Sequence, residues 1–382
     1  MGLTVERIAG INRYETAVRI AEGVGSDKAI LANGENFPDA LSISPYTATK
    51  GIPILLTRQV TQPVLDLLHQ KSQVILVGGN QAINKSIDST LNNPVRFEGA
   101  DRYETSATII NNLIGPKAIG YIATGENFAD ALTGSVLAAK QQAPIILTRK
   151  DVIPAPTISL FPRFGEKKIL GGLALVEYKV EDVITPLQAS VHLNAPLVSQ
   201  LPELPRGCEV TSLSMLLGYA GISVSKMQLA SEVVKVPWES GGYKGHPNDG
   251  FVGNMYTFSQ PGCCVFHSPI VSLANKYLPG RIIDLTGEDF EAIQYYLNRG
   301  KPVWVINTSW FKPVPASYWS TWKTRYGDIR ITMKEHSVLI TGYDNQNIYF
   351  NDPLANIKDR GFSQGDFIAG WQQYGSQAVT YQ

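Results

Sequence analysis

The stretch GCEVTSLSMLLGYAG (residues 207–221) sets one cysteine directly before an apolar run with helical spacing. Apolar side chains recur every three or four residues, as on one face of a helix, at Val210, Leu213, Leu216, Leu217 and Ala220. Gly221 suits the end of this helix, so Cys208 is expected at or beside its N-terminus. Because the positive end of a helix favours thiolate over thiol, this position predicts a lowered pKa and a reactive sulfur at Cys208. The local alternative is a buried structural cysteine.

A nucleophilic cysteine needs a base, and His336 has the most convincing setting of the five histidines. In EHSVLITGYDNQNIYFNDP (residues 335–353), two apolar segments flank a DNQN turn, which predicts a hairpin. The hairpin would set His336 and Asp352 on neighbouring strands, where the carboxylate would orient the imidazole. A simple turn register brings Asp352 nearer Leu339 than His336, so a stagger or a bulge is required. Asp344, in the turn, is the weaker candidate for this role.

Amide chemistry also needs a donor for the oxyanion. Attack on a carbonyl creates a tetrahedral anion, which preorganised N–H groups stabilise. The backbone N–H of Cys208, at the helix start, is one candidate. The side chain of Gln200, eight residues before the cysteine, is another, and its alternative interpretation is an ordinary surface amide.

The composition of the 382-residue chain is that of a globular protein with two or three domains. Its 33 basic and 33 acidic residues balance, which argues against a general binder of nucleic acid or of membrane surfaces. No apolar run reaches the roughly 18 residues of a membrane span. The first residues, MGLTVERIAG, lack the basic start and the apolar core of a signal peptide, so a secreted form would have a leader that this sequence does not include.

The three cysteines cannot build a disulfide framework. Cys263 and Cys264 are expected to be buried small apolar residues, because a bridge between neighbours is strained. With His267 they would offer a metal three ligands without a fourth nearby, which disfavours a metal site. The sequence also has neither GxGxxG nor GxxxxGK[ST], which are motifs of nucleotide-binding sites. We therefore predict no metal and no nucleotide cofactor.

Four sequence blocks recur in the same order in the first half of the chain. RIAGINRYETA (7–17) returns as RFEGADRYETS (96–106), and ANGENFPDALS (32–42) returns as ATGENFADALT (123–133). GIPILLTR (51–58) returns as QAPIILTR (142–149), and VILVGG (74–79) is echoed by KILGG (168–172). Recurrence of four blocks in one order indicates an internal repeat.

Each repeat has the pattern of alternating strands and helices. Asn12 and Asp101 can cap helices, with Glu15 and Glu104 completing capping boxes. Short apolar strands such as PILLT and VILVGG, separated by helices, indicate a parallel sheet covered on both faces. The first half is therefore predicted to be two tandem α/β units.

Repeated polar residues have both structural and functional interpretations. Asp39 and Asp130 are expected to fix the GENFxDAL loop and to cap the helix that follows. Arg13 and Arg102 open equivalent helices and are expected to pair with nearby carboxylates. Their alternative role is contact with an anionic polymer.

The repeat pattern stops near residue 185, and ITPLQASVHLNAP reads as a linker. We therefore predict a multidomain chain with repeats at 1–95 and 96–186 and a separate domain at 194–382.

The blocks RxxGxxRYET, GENFxDAL and PIxLT…VGG resemble the type 2 cell wall binding repeat of clostridial surface-layer and cell wall proteins. The resemblance covers about residues 5–185. It implies noncovalent anchoring to an anionic secondary polymer of the Gram-positive wall, and hence a secreted, wall-associated protein. The family usually carries three repeats in a threefold assembly, whereas this chain has two, so self-association through the repeats stays open.

The order Gln, Cys, His, Asp resembles the papain-like peptidase superfamily. SQLPELPRGCEVTSLSMLLGYAGI, with GHPNDGFVGNMY, GKPVWVINT and the hairpin of His336, is similar to peptidases of the bacteriocin-processing type over residues 194–382. The resemblance implies an α+β papain-like fold with Cys208 as the nucleophile and His336 as the general base. It also implies that Asp352 orients the base and that Gln200 is the oxyanion donor, although the Gln-to-Cys interval is two residues longer than usual.

Together these features predict a wall-anchored cysteine peptidase that hydrolyses a peptide or protein substrate through a thioester. Two alternatives stay open at this point. The same residues could transfer the acyl group to an amine instead of water. The second half could also be a non-catalytic domain that only binds, as in an adhesive surface protein.

Overall fold

The computed structural model describes residues 5–382, which divide into two compact units, one ending at Pro186 and the other spanning Leu187–Gln382. The predicted multidomain organisation is therefore confirmed, while the individual limits 1–95, 96–186 and 194–382 stay predictions. Across the described residues, no helix combines the length and the apolar character that a membrane crossing requires.

The first unit alternates strands and helices along the chain. Its helices are α1 (Arg13–Val24), α2 (Pro38–Lys50), α3 (Gln62–His69), α4 (Arg102–Leu113), α5 (Ala129–Lys140), α6 (Ala155–Ile158) and α7 (Tyr178–Ile184). Its strands are β1 (Lys28–Asn33), β2 (Ile54–Thr57), β3 (Gln73–Val77), β4 (Pro94–Phe97), β5 (Lys117–Thr124), β6 (Ile145–Thr148) and β7 (Phe164–Leu170). Short 3₁₀ helices occur at Lys85–Thr90 and Phe161–Arg163.

Two parallel sheets form the centre of this unit. The strand order is β2-β1-β3-β4 in the first sheet and β6-β5-β7 in the second. In the first sheet Ile30 lies opposite both Ile54 and Ile75, and in the second Tyr121 lies opposite Ile145. The central strands are apolar nearly throughout because helices cover both faces. The predicted tandem α/β units with parallel sheets are confirmed.

The first helix of each repeat has the same type of N-terminal cap. The Oδ1 atoms of Asn12 and Asp101 each accept hydrogen bonds from the backbone N–H groups two and three residues further on. The side chains of Glu15 and Glu104 reach back to the N–H of the residue before the cap. These bonds satisfy donors that a helix start leaves without partners, as the sequence predicted.

Asp39 and Asp130 lie against equivalent glycine turns. A Cβ atom on Gly78 would come 2.6 Å from Oδ2 of Asp39, and one on Gly171 would come 2.7 Å from Oδ2 of Asp130. Both glycines have a left-handed backbone, with φ near +114° and +113°. The two carboxyl groups therefore lie against the Gly78 and Gly171 turns. The expected helix capping was wrong, because α2 and α5 are preceded by Phe37 and Phe128 without a side-chain cap, and each aspartate is the second residue inside its helix.

Arg13 and Arg102 have different partners from those that the sequence suggested. The guanidinium of Arg13 donates to the carbonyl of Gly34 at 2.8 Å, and that of Arg102 donates to the carbonyl of Gly125. Within residues 5–382 neither guanidinium lies close enough to a carboxylate oxygen to form an ion pair. The expected carboxylate pairing was wrong because a backbone acceptor at the end of a strand lies within reach of each guanidinium.

The second unit segregates helices from a large antiparallel sheet. Its helices are α8 (Cys208–Tyr219), α9 (Lys226–Glu232), α10 (His267–Tyr277), α11 (Phe290–Asn298) and α12 (Gln364–Gln373). Its strands are β8 (Val191–His192), β9 (Lys235–Val236), β10 (Glu239–Ser240), β11 (Tyr243–Lys244), β12 (Phe251–Val252), β13 (Ile282–Asp284), β14 (Val303–Thr308), β15 (Trp319–Thr324), β16 (Gly327–Thr332), β17 (Glu335–Tyr343), β18 (Asn347–Asp352), β19 (Ile357–Ser363) and β20 (Ala378–Tyr381).

The main sheet has the order β13-β20-β14-β17-β18-β19, with β8 beside β17. All of its pairings are antiparallel. Helix α8 packs on this sheet through an apolar core that includes Leu213, Leu216, Trp304 and Leu339. The result is the α+β arrangement that the sequence predicted for this half.

Candidate active site

Cys208 is the first residue of α8, as predicted, and only 6% of its surface is exposed. Two hydrogen bonds fix the first turns of this helix to the sheet. Nε1 of Trp304 on β14 donates to the carbonyl of Glu209 at 2.9 Å. Oγ of Ser212 donates to the carbonyl of Ser337 on β17 at 3.1 Å. The start of α8 is therefore held in place relative to β17.

His336 and Asp352 meet in the interior at the ends of β17 and β18. Nε2 of His336 lies 2.9 Å from Oδ1 of Asp352. Both residues are buried, and the ring of Phe311 packs edge-on against the imidazole with centroids 5.8 Å apart. With Nε2 on the carboxylate, Nδ1 is the ring nitrogen left to accept a proton. This arrangement holds the tautomer and stabilises an imidazolium.

A β-bulge sets the register of these two residues. The pairing of β17 with β18 shifts by one residue near the turn, after which Leu339 faces Asn351. Asp352 then lies beside Val338 instead of Leu339, and His336 is the next residue on the same face of the strand. The structure thus contains the register shift that the sequence required.

The carboxylate of Asp352 is held by three further donors. Oδ1 accepts the backbone N–H groups of Leu354 and Ala355 at 3.0 Å each, and Oδ2 accepts Nη1 of Arg360 at 2.7 Å. Burial alone would raise the pKa of Asp352. The hydrogen bond and charge of His336, the N–H of Ala355 and the Arg360 guanidinium outweigh burial and hold that pKa well below its usual range.

The thiol of Cys208 faces two carboxyl groups. Its Sγ lies 3.4 Å from Oε2 of Glu209 and 3.9 Å from Oε2 of Glu335. Burial, followed by the charges of Glu209 and Glu335, raises the pKa of Cys208 well above its usual value. The prediction of a lowered pKa at the helix start was therefore wrong, because it considered the helix dipole and left out the neighbouring acids.

Among residues 5–382, no hydrogen bond joins Sγ of Cys208 to His336. The sulfur nevertheless lies against the segment of β17 that carries the imidazole. It contacts Glu335, and a backbone hydrogen bond from Ser337 partly offsets the rise in the pKa of Cys208. These are the two residues that flank His336. The structure thus joins His336 to Asp352, while the thiol of Cys208 faces the carboxyl groups of Glu209 and Glu335.

Gln200 is buried, with 1% of its surface exposed, so it is not an ordinary surface amide. Its Nε2 donates to the carbonyls of Leu204 and Pro205 at 3.2 Å each, while Oε1 is buried without a partner. Its backbone N–H donates to the carbonyl of Pro353, next to Asp352. Gln200 therefore braces the loop before Cys208, and its role as oxyanion donor stays a prediction.

Sequence reasoning missed Arg360, Glu209 and Glu335. A signal for the two glutamates was present, since each directly adjoins a predicted site residue in GCE and KEH. No comparable signal marks Arg360, which β19 brings to Asp352 from outside the hairpin. Asp344, the weaker candidate for orienting His336, instead caps its own turn by accepting N–H groups of the DNQN segment.

One group of side chains in the described part of the chain has metal-ligand spacing. Ligand atoms of Cys208, Glu209 and Glu335 lie within 4.8 Å of one another. A thiolate with two carboxylates is a donor set that Zn²⁺ accepts. Cys263 and Cys264 are buried, as predicted, while His267 is paired with Asp284.

Comparison with known proteins agrees with both halves of the structure. The sequence model of the Peptidase_C39 like family matches residues 192–379, and that of cell wall binding domain 2 (CWB2) matches residues 7–88 and 96–181. The uncharacterized protein YvpB of Bacillus subtilis (strain 168) is 49% identical over 182 residues, which are 47% of this chain and 71% of YvpB.

Two further relatives extend this result. The N-acetylmuramoyl-L-alanine amidase LytC of the same organism is 31% identical over 185 residues, which are 47% of this chain and 36% of LytC. The crystal structure of a proposed C39-like peptidase from Bacillus anthracis is 46% identical, with a TM-score of 0.50 over 51% of this chain and 98% of that one.

Fold and comparisons together define a protein with cell wall binding repeats followed by a peptidase-like unit. The chain belongs, through its second unit, to the Peptidase_C39 like family. Both resemblances recognised in the sequence are thereby confirmed.

Proposed function

We propose that this protein is a secreted cysteine peptidase that the repeats of its first unit hold on the cell wall. The observation that carries this proposal is the buried His336–Asp352 pair, in a unit whose Cys208 opens a helix. An imidazole oriented by an ionised carboxylate is the arrangement that accepts a proton from a nucleophile and returns it to a leaving group.

The reaction begins with the thiol proton of Cys208 passing to Nδ1 of His336. The thiolate then bonds to the carbonyl carbon, and the carbonyl π electrons move to the oxygen. Collapse of this intermediate breaks the C–N bond, and the imidazolium gives its proton to the departing amine. Water, deprotonated by His336, then hydrolyses the thioester and releases the acid.

This sequence of steps requires Sγ to turn away from Glu209 and Glu335. The sulfur lies 3.9 Å from Glu335, which with Ser337 flanks His336 in β17, so the thiol lies near the strand that carries the imidazole and must move to reach it. The backbone N–H of Cys208, at the start of α8, is the oxyanion donor that we favour. Gln200 would first have to release the carbonyls of Leu204 and Pro205.

The repeats of the first unit would hold the protein at the cell wall. CWB2 domains are cell wall binding domains, and we infer that those of this chain bind an anionic secondary wall polymer. Several weak sites on one repetitive polymer bind more tightly together than singly, because the second contact forms at high effective concentration. A peptide or protein substrate within reach of the wall would then meet the second unit.

Hydrolysis of a peptide library by the full chain tests this proposal. Cys208→Ala should lower kcat by about 10³-fold or more, because the nucleophile is lost. Cys263→Ala is the matched control and should retain activity, since its thiol takes no part in the reaction. Equal hydrolysis by Cys208→Ala and the parent chain would exclude the peptidase mechanism.

One observation favours a second candidate, a non-catalytic binding domain. The thiol faces two acids that, with burial, raise its pKa, and within the described residues no hydrogen bond joins it to His336. Under this candidate the chain would bind wall peptides in a pull-down assay, and Cys208→Ala would neither weaken binding nor change any hydrolysis. Loss of hydrolysis in the same variant would reject it.

A further inference from the structure

Three side chains from two elements bring a sulfur and two carboxylate oxygens together. Cys208 and Glu209 open α8, and Glu335 opens β17. Sγ of Cys208 lies 3.4 Å from Oε2 of Glu209 and 3.9 Å from Oε2 of Glu335. One ligand atom from each of the three residues lies within 4.8 Å of the other two. We call these residues the Cys–Glu–Glu cluster.

The spacing of the Cys–Glu–Glu cluster suits a tetrahedral cation. Zn²⁺ bonds to sulfur at about 2.3 Å and to carboxylate oxygen at about 2.0 Å, so a tetrahedral site separates sulfur from oxygen by about 3.5 Å. The two S···O distances of 3.4 and 3.9 Å are close to that value. The distance between the two carboxylate oxygens is no longer than 4.8 Å. Small rotations of side chains would therefore complete the coordination.

Hydrogen bonds from outside the Cys–Glu–Glu cluster hold its members in place. The second oxygen of Glu209 accepts the backbone N–H of Val265 at 2.7 Å, and the carbonyl of Glu209 accepts Nε1 of Trp304 at 2.9 Å. The bond from Ser212 to Ser337 ties α8 to β17, which carries the third member. Such supporting bonds are what orients the ligands of a metal ion.

The Cys–Glu–Glu cluster holds acceptor groups that the described part of the chain leaves uncompensated. Cys208 and Glu209 are 6% and 0% exposed, and Oε1 of Glu335 is buried without a hydrogen-bond partner. Within residues 5–382 neither glutamate forms an ion pair with lysine, arginine or histidine. Buried charges in proteins are normally paired or bound to a metal. A divalent cation would satisfy the free oxygen and offset the negative charge.

We propose that Cys208, Glu209 and Glu335 form a binding site for Zn²⁺, with water as the fourth ligand. A thiolate favours Zn²⁺ over the hard cations Ca²⁺ and Mg²⁺, which prefer sites made of oxygen alone. Binding replaces the S–H bond of Cys208 by a Zn–S bond, and the proton passes to solvent. Glu335 is partly exposed as a residue, so the ion and its water reach the site from that side.

A metal at this position also regulates the proposed reaction, and this consequence rests on the proposed peptidase function. With Zn²⁺ on its sulfur, Cys208 cannot attack a carbonyl carbon, so the metal-loaded chain is the inactive form. Hydrolysis by the parent chain should fall at least about tenfold as Zn²⁺ fills the site and should return when a chelator removes the ion. Unchanged hydrolysis at saturating Zn²⁺ would reject this regulation.

The site itself is tested by titrating the reduced, metal-free full chain with Co²⁺, because a cobalt–thiolate bond has an ultraviolet charge-transfer band. The band should saturate at one Co²⁺ per chain, and Zn²⁺ should displace the Co²⁺ while Ca²⁺ should not. Cys208→Ser should abolish the band, and Glu335→Gln should weaken Zn²⁺ binding at least about tenfold. The controls Cys263→Ala and Glu288→Gln, the latter at an exposed position, should bind like the parent.

The assignment would be overturned by a parent chain without the band or by a band that persists in Cys208→Ser. Loss of the band in Cys263→Ala would equally reject it, since the ion would then lie on the neighbouring cysteines. If Glu335→Gln does not fold, X-ray absorption at the zinc edge of the parent must show one sulfur among oxygen ligands. Two sulfurs would contradict the Cys–Glu–Glu cluster.

The cobalt readout needs no substrate, so it separates two kinds of failure. A band that depends on Cys208, together with full hydrolysis by Cys208→Ala, would reject the peptidase function and leave the metal site standing. A parent chain without the band, together with loss of hydrolysis in Cys208→Ala, would do the reverse.

Discussion

At the scale of single residues, the site combines two opposite electrostatic settings a few residues apart. Asp352 is ionised and held by His336, Arg360 and two backbone N–H groups. Cys208, Glu209 and Glu335 lie together in a buried setting where burial raises the pKa of each group. The imidazole of His336 belongs to the first setting, where the carboxylate of Asp352 orients it and stabilises its protonated form.

The dependence of Asp352 on Arg360 leads to a prediction about acid stability. The lowered pKa of Asp352 stabilises the fold above the unfolded pKa near 3.9, and this stability is lost as pH falls through the folded pKa. Arg360→Gln raises the folded pKa, so the variant should be less stable than the parent by about 1 kcal/mol near pH 5, and the difference should shrink as pH falls below about 4, where Asp352 becomes protonated in the unfolded chain. Urea unfolding between pH 3 and pH 7 measures this difference.

Arg330→Gln is the matched control, because Arg330 lies over the ring of Trp319 and does not contact Asp352. Identical acid profiles for the two arginine variants would show that Arg360 does not stabilise the carboxylate.

Whether the sequence predicts a site residue depends on whether a local sequence pattern marks it. Cys208, His336 and Asp352 could be proposed from the sequence because a helix start and a hairpin are local patterns. The raised pKa of Cys208 depends on Glu335, which is distant in sequence, and on complete burial. Arg360 is likewise brought in by the pairing of β18 with β19. Such effects come from tertiary packing, which local spacing does not encode.

At the scale of elements, the site depends on how β17 is held. Helix α8 is bonded to β17 through Ser212, and β8 pairs with β17 at Gly342 and Tyr343. The bulge beside Gly342 sets the register that brings Asp352 toward His336. The hairpin could be predicted from the sequence, and so could the need for a bulge. The pairing of β8 could not, since two residues of a predicted linker give no strand pattern.

Gly342 allows β8 to approach β17 closely. A Cβ atom there would come 2.1 Å from the carbonyl oxygen of Val191, a contact that requires the backbone to move. Gly342→Ala should therefore reduce the free energy of unfolding by about 1–3 kcal/mol, measured by urea denaturation. Gly365→Ala, in the first turn of α12 with open space around its Cα, should be neutral or stabilising by up to about 1 kcal/mol. A Gly342→Ala protein as stable as Gly365→Ala would show that β8 does not constrain β17.

At the scale of the whole molecule, two compact units each have their own sheets and core clusters. The tandem α/β repeats were predictable because their blocks recur, and the papain-like unit because its motifs are specific. The Bacillus anthracis chain, 98% covered by this one, shows that a unit of the second type folds without the repeats. Anchoring and catalysis should therefore be separable.

Removal of the repeats tests this separation. A chain of residues 187–382 should hydrolyse a soluble peptide within about twofold of the full chain. It should not co-sediment with isolated Gram-positive walls, and its cleavage of a wall-attached substrate should fall by about 10²-fold as effective concentration is lost. The full chain with Cys208→Ala is the control that binds walls without cleaving. Equal sedimentation of the long and short chains would contradict the anchoring role.

The central claim is that His336 takes the proton of Cys208, and covalent labelling tests it most directly. An epoxysuccinyl peptide probe is incubated with the full chain at neutral pH, and the adduct is mapped by mass spectrometry. We expect a single adduct at Cys208, reduced at least about 10²-fold in His336→Ala, with Cys263 and Cys264 unmodified. Labelling of Cys208 at the same rate in His336→Ala would contradict the account.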